Sequence, residues 1–134
     1  MLGAGSLLGG VISASAYANG VVYMASNDGM SGTLCAALEA STGKIHWKTP
    51  TQQGTLTYGG LAYANEVIYW GTDSGSLSAL DASTGKTLWS DKAPDAIAGR
   101  PIVANGILFV PWGYQWTLLN DGVAGTGGLI AYGL

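Results

Sequence analysis

The chain has 134 residues, enough for one compact domain. Hydrophobic residues make up 48% of it, 22 residues are glycine and only 10% are charged, which excludes a solvated disordered chain and suits many short strands with glycine turns. A net charge of −3 with five Lys and Arg and no basic cluster argues against nucleic acid as a partner, and no apolar run reaches transmembrane length.

The first stretch, Met1-Leu2-Gly3-Ala4-Gly5-Ser6-Leu7-Leu8 and then Ala14-Ser15-Ala16, looks like a weak secretory leader but lacks the positively charged start of one. Residues 11–19 align with segments further on and are read as repeat strand. Two strand-like runs, 11–18 and 21–25, meet at Ala18-Asn19-Gly20. The arrangement returns with runs 58–64 and 67–71 around Ala64-Asn65-Glu66, and with runs 100–104 and 107–112 around Ala104-Asn105-Gly106. Asn-Gly tolerates positive φ at both central positions of a two-residue hairpin; Asn65-Glu66 is the poorer version.

A second marker lies beside each hairpin. Ala37-Leu38-Glu39-Ala40-Ser41-Thr42-Gly43-Lys44-Ile45-His46-Trp47 reappears as Ala79-Leu80-Asp81-Ala82-Ser83-Thr84-Gly85-Lys86-Thr87-Leu88-Trp89, and Gly43 and Gly85 stand 42 residues apart. Each copy reads as strand, tight turn and outer strand. Asp81 can accept bonds from the backbone of its turn, and Gly85 permits the reversal. So small a unit cannot bury its apolar face alone, so copies must stack. Cys35 corresponds to Leu77 and reads as a buried strand residue; a single cysteine forms no internal disulfide and says little about redox compartment.

One repeat is thus four antiparallel strands. Two full copies cover about residues 11–48 and 57–90, and a third begins near Gly99 and runs to 134, with no helix expected. Residues 49–57 and 91–98 are polar connections carrying Pro50 and Pro94. The third copy holds twelve extra residues within 113–128 and the first holds four extra within 27–32. Gly128-Leu129-Ile130-Ala131-Tyr132 matches the third strand of the earlier copies, and no outer strand follows it. A closed propeller often completes its last blade with a strand from the far end of the chain.

The pattern Ala-x-Asp-x-x-Thr-Gly-x-x-x-Trp resembles the tryptophan-docking repeat of pyrroloquinoline quinone-type β-propellers. Ala79, Asp81, Thr84, Gly85 and Trp89 fit it fully, and the earlier copy departs only at Glu39. Tyr69-Trp70-Gly71, Pro111-Trp112-Gly113-Tyr114 and the closing Gly128 to Leu134 are similar to the last blades of polyvinyl alcohol dehydrogenase-like quinoproteins. The resemblance implies an all-β chain: about three blades, the last without its outer strand, of an eight-bladed propeller whose other blades lie upstream. It implies a periplasmic or secreted enzyme that oxidises alcohol groups with pyrroloquinoline quinone and calcium, the base and calcium ligands lying on other blades. Some relatives carry a cytochrome c domain, but no haem-attachment Cys-x-x-Cys-His occurs here. Outer-membrane assembly lipoproteins share the repeat as scaffolds without the chemistry, and fold alone does not choose between the two.

Within that frame Trp47 and Trp89 read as blade-to-blade packing. Trp70-Gly71 and Trp112-Gly113 end second strands on the presumed cofactor face, where a flat ring could stack and a glycine lets backbone approach; loop anchoring is the plainer reading. Arg100 opens the third inner strand and could meet a quinone carboxylate, or form a rim salt bridge. Tyr114 and Trp116 could form a lid or a locally packed loop. Asp73 and Asp121 read as turn residues and His46 as surface. No Ser-His-Asp set, phosphate-cradling glycine loop or paired carboxylates emerge. An open arc of blades would leave bare apolar faces and an unpaired edge at 129–132, so the isolated chain is expected to need upstream blades or head-to-tail copies of itself.

Overall fold

The structure is a computed structural model, and it describes residues 9–29, 31–113 and 126–134. Every element among these residues is a strand. β1 (Ala16–Ala18), β2 (Val21–Asn27), β3 (Gly32–Glu39) and β4 (Ile45–Lys48) form the first sheet in that order. The short β5 (Gln52–Gln53) pairs with the start of β3. β6 (Ala62–Ala64), β7 (Val67–Gly71), β8 (Ser76–Asp81) and β9 (Thr87–Lys92) form the second. β10 (Ile102–Ala104), β11 (Ile107–Trp112) and β12 (Gly128–Gly133) form the third, which has three strands. All pairings are antiparallel, and the inner strand β6 lies between β1 and β10. The blade pattern expected from the repeats is the one observed.

The Asn turns take the expected form. Asn19 and Gly20 have φ of 50° and 82°, Asn105 and Gly106 have 51° and 73°, and Asn65 and Glu66 have 50° and 62°. Each turn then receives a backbone bond from the residue that follows the third strand of its sheet. Gly20 O accepts from Ala40 N at 2.8 Å, Glu66 O from Ala82 N at 2.9 Å and Gly106 O from Leu134 N at 2.8 Å.

The Ser-Thr-Gly turns also form. Asp81 Oδ1 accepts from the backbone N–H groups of Ser83 and Thr84 at 3.0 and 2.8 Å and from both hydroxyls at 2.7 and 2.8 Å. The hydroxyls of Ser83 and Thr84, with the Thr84 backbone, hold the Asp81 carboxyl below its ordinary pKa. Both outer strands carry a bulge at the same repeat position: the register skips His46 between Ala37 and Leu38, and Leu88 between Ala79 and Leu80. Bulges re-aim side chains. Here they precede Trp47 and Trp89.

Trp47 reaches the next blade. Its indole N–H donates to Ala82 O at 2.9 Å, and its ring lies on Gly85, where a Cβ would sit 2.5 Å from it. Trp89 meets the third blade differently, edge-on to Tyr132 at 5.0 Å, and is 40% exposed. Tyr132 donates its hydroxyl to Asp91 Oδ2 at 2.9 Å. Two apolar clusters fill the space between blades. One joins Tyr23, Cys35, Leu61, Ile68, Trp70 and Leu80; the other joins Tyr69, Leu77, Ile97, Leu108 and Val110.

Two expectations need correction. The inner strands are shorter than runs 11–18, 58–64 and 100–104, because the leading residues turn to their neighbours. Leu61 N donates to Ala14 O at 3.0 Å, and a Cβ on Gly59 would meet Gly99 O at 2.5 Å. The polar linker after β4 also contributes a paired segment, β5; a Cβ on Gly32 would strike Gln52 O at 2.4 Å, so glycine lets it approach.

Cys35 is fully buried and its thiol is free. Burial pushes its pKa up to about 12. The folded protein should resist thiol reagents at pH 8 and react fully in denaturant. In the unfolded chain a cysteine has a pKa of about 8.5. The unfolded state therefore loses that proton first, and this site's contribution to stability is lost as pH rises from there toward 12. Titration with a chromogenic disulfide checks the first point; rapid native labelling would show that the strand opens.

Candidate functional site

The hairpins β2–β3, β7–β8 and β11–β12 lie at one end of the strands, together with the linkers between blades. Each linker is bonded to the hairpins beside it. Asn27, buried at the end of β2, clasps Thr57 through both amide atoms: Nδ2 donates to Thr57 O at 3.1 Å, and Oδ1 accepts from Thr57 N at 2.9 Å. On the other side Asp73 Oδ1 accepts from Leu56 N at 2.8 Å, and Asp73 N donates to Leu56 O at 2.9 Å. The next linker repeats the scheme, with Ile97 N donating to Thr72 O at 2.9 Å and Gly113 N to Ala96 O at 2.8 Å. Asp73 is therefore more than a turn residue.

The candidate residues fare differently. Trp70 is 1% exposed and belongs to the cluster between the first two blades. Its indole N–H donates to Thr57 Oγ1 at 3.3 Å, and that hydroxyl donates to Gly71 O at 3.2 Å. In this structure the Trp70 ring packs in the core between the first two blades. Gly71 is likewise filled: a Cβ there would meet Ile97 Cγ2 at 2.3 Å, so the close neighbour is a side chain of the next linker.

Trp112 is half-buried and packs on Gly128, where a Cβ would lie 2.9 Å from Cζ2 of the ring. Gly113 follows with a φ of 98°, and a Cβ there would meet Gly127 Cα at 2.4 Å, so glycine closes the two hairpin arms. Arg100 is exposed; its Nε donates to Leu61 O at 2.9 Å and its stem passes over Gly60. This bond sets the guanidinium at the entry of the third inner strand, beside the second. Trp112-Gly113 and Arg100 share the hairpin end of the sheets with the linkers, and Trp70 does not join them at the surface. Tyr114, Trp116 and Asp121 lie outside the described residues. His46 is exposed on β4. No group of three or more His, Cys, Asp and Glu among the described residues could hold a metal ion.

The clasp of Asn27 escaped sequence reading. A signal existed: offset by the 46 residues separating Asn19 from Asn65, Asn27 aligns with Asp73, and both are polar at the end of an apolar strand.

A family model described as outer membrane protein assembly factor BamB, for the pyrroloquinoline quinone-type repeat, matches residues 52–120, just over half of the chain. The chain belongs to the pyrroloquinoline quinone-type β-propeller repeat family. Within this family it is similar to a lanthanide-dependent methanol dehydrogenase of Methylorubrum extorquens, 38% identical over 93 residues, covering 69% of this chain and 14% of the relative. It is also similar to the dehydrogenase subunit of a quinone alcohol dehydrogenase of Gluconacetobacter polyoxogenes, 34% identical over 115 residues, covering 66% and 15%. The solved structure of a europium-containing methanol dehydrogenase superposes with a TM-score of 0.66 at 24% identity, over 95% of this chain and 24% of that one, which shows the shared propeller fold. The chain spans only about a seventh of the curated relatives' length. Among the described residues of this quinone-type repeat, no helix is long and apolar enough to cross a membrane.

Proposed function

We propose that the chain is a blade segment of a quinone-dependent alcohol dehydrogenase, acting on alcohol groups in the periplasm or outside the cell. The observation that carries this reading is the 34–38% identity to quinone-dependent alcohol and lanthanide-dependent methanol dehydrogenases over two thirds of the chain. Pyrroloquinoline quinone, when bound, supplies the electron acceptor; the protein supplies binding and orientation. Of the five residues considered for it, Arg100 fits best. Its guanidinium is exposed, its stem is steered by the Leu61 carbonyl, and its charge suits a quinone carboxylate. Trp112 and Gly113 flank the same end of the sheets, whereas Trp70 and Gly71 are filled by packing. Calcium ligands belong to other blades. Those blades, or copies of this chain, cover the exposed side of Trp89 and the edge of β12, where Leu129 is 62% exposed.

The test uses the full-length protein, reconstituted with pyrroloquinoline quinone and calcium and assayed by dye reduction with alcohols. Arg100→Ala should weaken quinone binding about tenfold or more, the scale of a hydrogen bond to a charged group. Arg100→Lys should recover part of it. If the full-length protein binds no quinone, the alternative suggested by the BamB description, a scaffold that binds proteins, takes its place.

A further inference from the structure

At the opposite end of the strands from the hairpins lies a groove of about 500 Å³ between the first two blades. Its walls include Tyr23, Trp47 and Tyr63, with Glu66, Asp81 and His46 around them. Tyr23 stacks on Tyr63 with ring centroids 5.6 Å apart, and Trp47 tilts toward Tyr23 at 6.1 Å. Among the described residues no lysine or arginine lines the groove.

Three observations point the same way. Tyr23 is only 5% exposed, and its hydroxyl makes no hydrogen bond with the described residues. Tyr23 lines the groove as a neutral phenol whose oxygen can accept an N–H; burial, then the nearby Tyr63 and Asp81, push its pKa up. Asp81 has its Oδ1 saturated by its turn, which keeps it ionised, while Oδ2 takes no part in those bonds. Glu66 occupies a left-handed position, φ 62°, where the sister turns place Gly20 and Gly106. A carboxylate is thus kept where glycine would be easier, and strain of this kind gathers at functional sites.

We infer that this groove is a binding site for an organic cation carrying an ammonium or guanidinium group. Electron-rich rings attract such a cation, and carboxylates on the rim add charge-assisted hydrogen bonds. The site stands apart from the proposed quinone face and does not depend on that reading. The cation could be a free amine or a Lys or Arg side chain of a protein.

Calorimetric titration of the full-length protein without quinone tests this, using methylguanidinium, n-butylammonium, a blocked arginine tripeptide, and methylurea as neutral isostere. The cations should saturate one site, weaken with added salt, and leave methylurea unbound. Tighter binding of the tripeptide would assign the side-chain source; equal or weaker binding would assign the free amine. Glu66→Gln should weaken the cations about tenfold, a charge-assisted hydrogen bond's worth. Glu66→Gly should weaken them equally and raise the melting temperature, since the turn regains glycine. Failure of every cation to bind, binding of methylurea alongside them, or unchanged affinity in both variants would overturn the proposal.

Discussion

Trp70→Ala is expected to lower the unfolding free energy by about 3–5 kcal/mol, the range for truncating a buried tryptophan. The ring is 1% exposed and touches the cluster of Leu61, Ile68, Leu80 and Tyr23 between the first two blades. Removing it leaves a cavity that rigid sheets on either side cannot collapse into. It also frees the Thr57 hydroxyl from the indole N–H. Trp70→Phe should cost less, since most of the volume stays and one 3.3 Å bond is lost. Urea unfolding of the full-length protein and both variants measures this, with quinone affinity as the second readout. A loss under about 1 kcal/mol for Trp70→Ala would deny the core role. Intact stability with abolished quinone binding in Trp70→Phe would restore the stacking role.

The second large effect is expected at Asn27. Asn27→Ala breaks both bonds of the clasp and strands the buried N–H and C=O of Thr57, at about 1–3 kcal/mol each. Asn27→Asp is the sharper test, because its volume is the same. The ionised carboxylate of that variant could still accept from Thr57 N but would oppose the Thr57 carbonyl. Burial would raise the pKa of the new carboxyl in the folded state, so the variant should hold its stability at acid pH and lose it as pH rises through that value. The wild-type protein lacks this slope at the site. Unfolding curves from pH 4 to pH 8 compare the two; parallel behaviour would show that the clasp is not the link between blades. Thr57 lies four residues before Leu61, whose carbonyl steers Arg100. A broken clasp should therefore also disturb the proposed quinone face.

The repeat is legible from the residues alone. Asn19-Gly20, Asn105-Gly106 and the paired Ser-Thr-Gly turns are local chemistry: positive φ and side-chain acceptors act within four residues, so their geometry can be read without the fold. The packing role of Trp47 between blades was legible too, because it closes a repeated motif; that its ring lies on Gly85 came from the structure. Which aromatic residues stay open is settled by how the blades stack. Trp70 and Trp112 hold equivalent places before a glycine, but Trp70 is enclosed between two blades, while Trp112 rests on Gly128 at a sheet edge and stays half-exposed. A strand's alternation tells which face a ring takes; how deeply the neighbouring blade covers it depends on residues 30 or more positions away, such as Asn27 on Thr57. The groove of Tyr23, Trp47, Tyr63 and Glu66 was hidden for the same reason. Its walls come from strands of two blades, brought together only by stacking.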